Sequence, residues 1–179
     1  MKRYYLAYLN KFMLSILVIC GMLLVPNAHA AETVPFDRKF NPVDEVRYSI
    51  KVSGDGQERV LSITDLERLP LHRANFSTRW NLKGDFVGVK LSDLLNHVGI
   101  ATFERLYVLA SNDYNITIES DDPGIENVIL ASRINGEPFA LDHKGPFFIM
   151  WPDQAEDVLA GKAAEVKWLW GAVEIRKIR

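Results

Sequence analysis

The chain has 179 residues, 48% of them hydrophobic and 25% charged, with a formal net charge of −2. That length suits one ordinary domain, and the absence of a basic excess argues against a nucleic-acid partner. The single cysteine, Cys20, excludes a disulfide framework and any cysteine-rich metal site within the chain.

In chain order, the first predicted element is a secretory signal over residues 1–30. Lys2, Arg3 and Lys11 give a basic start, and Phe12 to Val25 is an almost purely apolar run of 14 residues. A bilayer span takes about 20 residues, so the run is too short for an anchor. Pro26 and Asn27 break it, and Ala28 and Ala30 place small residues at −3 and −1 of a cleavage site before Ala31. Cys20 follows Ile19, where a lipoprotein signal would have a small residue. A Sec-type signal cleaved after Ala30 predicts a periplasmic or secreted protein of residues 31–179 with no membrane span. Cleavage would remove Cys20, and with it the last thiolate. It would also take three of the 21 basic residues and none of the 23 acidic ones, leaving a net charge of −5.

Residues 31–44, polar with Pro35 and Pro42, read as a flexible leader. Residues 45–179 read as one domain. Val46 to Val52 alternates as a half-buried strand, Gly54 to Gly56 turns, and Arg59 to Leu61 returns as a hairpin partner. Thr64 is placed to cap a short helix, Asp65 to Leu69, ended by Pro70. Asn75 to Asn81 predicts a strand, and Gly84 and Gly88 a turn. Ser92 is placed to cap a helix over Asp93 to Val98, ended by Gly99. Arg105 to Ala110 and Tyr114 to Glu119 predict two strands around a Ser111–Asp113 turn. Val128 to Ile134 reads as a strand, or as a short helix passing into one, and Asn135-Gly136 is a hairpin signal. Phe147 to Trp151 predicts a buried strand, Asp153 to Lys162 a partly helical segment, and Val166 to Ile178 a closing strand. The pattern is α+β, mostly β, with short helices.

Local motifs for chemistry are sparse. His72, His97 and His143 lack zinc-ligand spacing, and His97 suits the C-terminal end of its helix. His143 sits in the loop Leu141 to Gly145, where either a surface or a ligand contact fits. No G-x-S-x-G elbow occurs, and the Gly54–Gly56 pair lacks the strand-to-helix setting of a dinucleotide site. Trp80, Trp151, Trp168 and Trp170 stand near predicted strand ends. Most tryptophans in such a domain pack the core, but Trp168 or Trp170, with Trp151, could line a cleft.

Three stretches, taken in order, carry a resemblance. They are Gly88 to Leu95 (GVKLSDLL), then Asn135-Gly136-Glu137-Pro138 followed by Gly145-Pro146 and Trp151-Pro152, and finally Val166-Lys167-Trp168. Together they resemble the oxidoreductase molybdopterin-binding domain family, which implies the sulfite-oxidase-type fold over residues 45–179. In that family a cysteine about a dozen residues before the turn glycine holds the metal, with an aromatic residue four positions later. Trp80 matches the aromatic, which puts Phe76 at the cysteine position, or Ser77 with a slip of one. Neither supplies a thiolate. Arg73, Arg79, Lys144 and Lys167 are the basic residues left for a pterin phosphate. The resemblance also implies export of loaded enzymes through a twin-arginine signal, which this N-terminus lacks.

Three readings follow. The first is a non-catalytic binding module that takes a small ligand or the periplasmic region of a membrane sensor or redox partner. The second is a molybdopterin-dependent oxidoreductase with unusual ligation, or its small subunit. The third is a structural accessory. The first expects no cofactor and the second expects molybdopterin. The candidate cleft residues are Asn75, Ser77, Arg79, Trp80, Asn112, Asp113, Tyr114, His143, Lys144 and Trp168. No catalytic or metal residue is assigned.

Overall fold

A computed structural model describes residues 31–178. The predicted signal segment and Cys20 lie outside the described residues. The rest forms two sheets with three short helices, a mostly-β α+β arrangement.

The larger sheet holds β1 (Val34–Phe36), β4 (Leu71–Ser77), β5 (Lys83–Lys90), β8 (Ile129–Ile134), β10 (Phe148–Met150) and β11 (Leu169–Trp170) in that order, with β9 (Glu137–Pro138) paired to β8. The smaller sheet runs β3 (Gln57–Ser62), β2 (Ser49–Gly54), β12 (Ala172–Ile178), β6 (Arg105–Ala110), β7 (Asn115–Glu119). Only β12 and β2 pair in parallel within the smaller sheet; its other pairs are antiparallel. One apolar core takes residues from both sheets. Phe86, Phe147, Phe148 and Trp151 are fully buried in it. Each such side chain contributes roughly 1.5–3 kcal/mol of transfer free energy.

Several expected elements hold. Asn135, at φ 53°, and Gly136 make the tight turn between β8 and β9, because both central positions of that turn need positive φ. Residues 129–134 are strand, and α3 (Ala155–Leu159) falls inside the segment read as partly helical.

Others move. The segment read as a flexible leader contains β1, which pairs antiparallel with β4 in the register Val34 to Arg73 and Phe36 to Leu71. Pro35 is tolerated there because the strand is at the sheet edge. Beyond it Phe40 lies under the Arg133 guanidinium, 4.3 Å from carbon to ring centre. Residues 31–44 are therefore a strap seated on the larger sheet.

The strand expected over 75–81 is displaced to Leu71–Ser77, and the first strand, expected from Val46, begins at Ser49. Gly84 and Gly88, read as a turn, lie inside β5. A Cβ on Gly88 would fall 2.1 Å from the Leu130 carbonyl oxygen, so a close crossing of β8 requires the glycine, not a turn. Helix α1 (Ile63–Leu66) is capped by Ser62 instead of Thr64. The Asp65 N–H donates to Ser62 Oγ, and the Ser62 N–H donates to Asp65 Oδ2. That capping holds the Asp65 carboxyl below its usual range. Helix α2 (Leu91–His97) starts after Lys90, with no side-chain cap, so Ser92 lies within it. The closing strand is split by Gly171, whose φ is 75°.

Candidate functional site

Four segments meet at one end of the larger sheet. The Thr78–Leu82 loop is closed by Thr78 N–H donating to the Leu82 carbonyl at 2.8 Å, and it carries Trp80. The loop after β9 closes with Gly145 N–H donating to the Ala140 carbonyl at 2.9 Å, and it carries His143 and Lys144. Gly171 ties this loop to the β6–β7 turn. Its N–H donates to the Lys144 carbonyl at 3.0 Å, and its carbonyl accepts from Ser111 N–H at 2.8 Å. The fourth segment, Glu165 to Trp170, leads into β11.

Aromatic rings fill the junction. The Trp80 ring lies 5.4 Å from Phe148 and 6.2 Å from Trp168. Trp168 meets Phe76 edge-on at 5.8 Å and Phe148 at 6.4 Å. Lys144 Nζ lies 5.0 Å from the Trp170 ring centre and 5.7 Å from that of Trp80, a geometry that favours a cation weakly. Burial acts the other way and lowers the Lys144 pKa. Arg79 is paired with Glu165 at 3.5 Å. Trp168 is 4% exposed, and its indole nitrogen is buried without a hydrogen-bond partner.

The sequence-predicted residues divide accordingly. Arg79, Trp80, Lys144 and Trp168 come together. Asn112, Asp113 and Tyr114 form an exposed turn next to Ser111, with Tyr114 N–H donating to Asn112 Oδ1 at 3.2 Å. His143 is exposed on its loop. Asn75 and Ser77 do not join the aromatic cluster. Alternation along β4 turns Phe76 into the core and sets its neighbours outward. Asn75 donates to Asp85 at 2.7 Å. It lines, with Ser77, a separate groove of about 430 Å³ beside α3. Trp151 is 1% exposed and packs the core, so it lines no cleft. Phe148, a wall of the cluster, was legible in sequence only as part of a buried strand.

The fit to a molybdenum–pterin group turns on Phe76, or on Ser77 with a slip of one, whose hydroxyl is no thiolate. The Phe76 ring stacks on Phe86 at 4.4 Å and is 7% exposed. The position thus presents a packed hydrocarbon where a thiolate donor is needed. Among the described residues no group of three or more His, Cys, Asp or Glu could hold a metal ion. The donor set does not fit the metal half of the group.

A separate groove lies away from this cluster. It measures about 850 Å³ and runs between the strap, including Phe36 and Phe40, and the segment from Thr64 to Leu71. No helix among the described residues is long and apolar enough to cross a membrane.

Comparison with curated proteins gives no match. A family model described as the oxidoreductase molybdopterin binding domain matches residues 38–174, which include the strap from Arg38 onward, the aromatic cluster and the start of β12. The chain belongs to the oxidoreductase molybdopterin binding domain family.

Proposed function

We propose that the protein is an exported, non-catalytic member of this family. It keeps a sulfite-oxidase-type scaffold and uses the cluster around Trp80, Lys144, Trp168 and Trp170 as a binding site. The observation that carries this reading is Phe76, stacked on Phe86 where the family resemblance calls for a cysteine. A fold hosts many functions and the site decides among them, and this site offers stacking and hydrogen-bond donation without a thiolate ligand. The expected occupant is a small molecule. The periplasmic region of a membrane sensor or redox protein is the macromolecular partner this location would offer.

The test is the metal content of the protein purified from its own compartment. Molybdenum well below one atom per chain, with no fluorescent pterin released on denaturation, is the expected result. Stoichiometric molybdenum with dye-linked turnover would overturn the reading in favour of a molybdopterin-dependent oxidoreductase or its small subunit. An N-terminal sequence beginning at Ala31 in the periplasmic fraction is expected, and a cytoplasmic full-length chain would remove the export part of the proposal.

A further inference from the structure

Two hydrogen-bond donors beside Trp80 have no protein acceptor among the described residues. Lys144 contacts two indole faces, and no ion pair among the described residues includes it, whereas Arg79 is ion-paired at 3.5 Å with Glu165, whose Oε2 is buried without a hydrogen bond. The second donor is the Trp168 indole N–H, buried and without a partner. An indole nitrogen only donates, and so does an ammonium. Buried polar groups in folded proteins are nearly always satisfied, so an orphan calls for an explanation.

The chemistry that answers both donors is an acceptor bearing negative charge. A metal ion or a cationic ligand would leave them unmet, and Lys144 would repel either. The surrounding walls are flat and apolar, formed by the rings of Trp80 and Trp170. Such rings favour a planar partner. Trp80 neighbours both donors, 5.7 Å from Lys144 Nζ and 6.2 Å from the Trp168 ring. It is half-buried at the Thr78–Leu82 loop.

We infer that this cluster binds a planar organic anion, an aromatic carboxylate, with its carboxylate on Lys144 and its ring against the indoles of Trp80 and Trp170. The Trp168 N–H provides the second donor. This inference rests on the reading of the cluster as a ligand site and adds the class of ligand.

The experiment is calorimetric titration of the processed protein with benzoate and indole-3-carboxylate. Benzamide, benzylamine and sulfate serve as neutral, cationic and non-aromatic probes. The carboxylates are expected to bind about tenfold or more tightly than the other three, the scale of one charged hydrogen bond. Lys144→Met is expected to remove that advantage. Trp168→Phe keeps a ring and deletes the N–H, and is expected to weaken the carboxylates by roughly threefold or more. Circular dichroism establishes that both variants are folded. Equal binding of benzamide or sulfate, indifference to Lys144→Met, or no binding of either carboxylate would overturn the inference. Metal content separates the two failures: a metal-free protein that binds no carboxylate sinks the ligand class alone, and stoichiometric molybdenum sinks the site reading beneath it.

Discussion

Arg133 and Glu67 form a two-pronged buried pair, with Arg133 Nε donating to Oε1 at 2.6 Å and Nη2 to Oε2 at 3.2 Å. Nη1 and Nη2 also donate to the carbonyls of Gly136 and Asn41, respectively. One side chain thus joins β8, the end of α1, the β8–β9 turn and the strap. Arg133 is 2% exposed, so its charge has no recourse to water. Glu67→Ala should cost about 3–5 kcal/mol, the usual penalty for stranding one partner of a buried ion pair. Urea unfolding measures it. A loss under 1 kcal/mol would mean that water reaches Arg133.

The strap should behave as part of the fold. Phe40→Ala removes the ring beneath Arg133 and is expected to cost about 1–3 kcal/mol through lost packing and cation–π contact. Hydrogen exchange offers a local readout, since β1 pairs with Leu71 to Arg73. Exchange in residues 71–73 should quicken in the variant. Unchanged exchange would show that the strap is not held through Phe40.

His72 predicts a pH dependence. Burial lowers its pKa below 6.5, the positive charge of Lys90 adds to the lowering, and Asp93, 3.7 Å away, opposes both. The fold therefore favours neutral imidazole, and the unfolded chain takes up the proton first. Stability is fully present above the unfolded value of 6.5 and is lost as pH falls from there toward the lower folded value. Asp65 acts in a separate window, below its ordinary value of 3.8. Urea midpoints at pH 7.5 and pH 5.5 should differ in the wild type and converge in His72→Gln. An equal slope in both proteins would assign the effect elsewhere.

Gly88→Ala should be poorly tolerated. The added Cβ meets the Leu130 carbonyl oxygen at 2.1 Å and Ala131 Cα at 2.5 Å, backbone atoms that cannot swing away. Overpacking of this kind costs about 1–3 kcal/mol and sometimes more. The adjacent register irregularity between Val87 and Gly88 marks where β5 would separate from β8. A variant with wild-type melting temperature would contradict the close crossing.

The same glycine shows where the sequence was legible and where it was not. Asn135-Gly136 announces its turn because the required backbone angles depend on those two residues alone. Gly88 needs no unusual backbone of its own. Its reason is the carbonyl of Leu130, more than forty positions away, so local reading mistook a strand glycine for a turn. Pro35 misled in the same way, because a proline is disfavoured in a strand only where its partner needs an N–H. Trp80, Lys144 and Trp168 were named for aromatic and basic chemistry at loop ends, and the fold brings them together. Asn75 and Ser77 were misplaced because the strand holding them begins four residues earlier than read, and strand alternation then fixes their side. The partner of Arg79, Glu165, lies 86 positions along the chain and left no local trace.

The position of β12 governs the order in which this molecule can assemble. It lies between β2 and β6, and without it the β2–β3 and β6–β7 hairpins share no backbone hydrogen bonds. Two-stranded ribbons are marginal on their own. The smaller sheet must therefore wait for residues 172–178. The two hairpins stay unjoined until β12 docks between them, a long-range step, slow in the manner of folds built from distant contacts. β12 is thus the clasp of the smaller sheet: its docking turns two separate hairpins into one five-stranded surface.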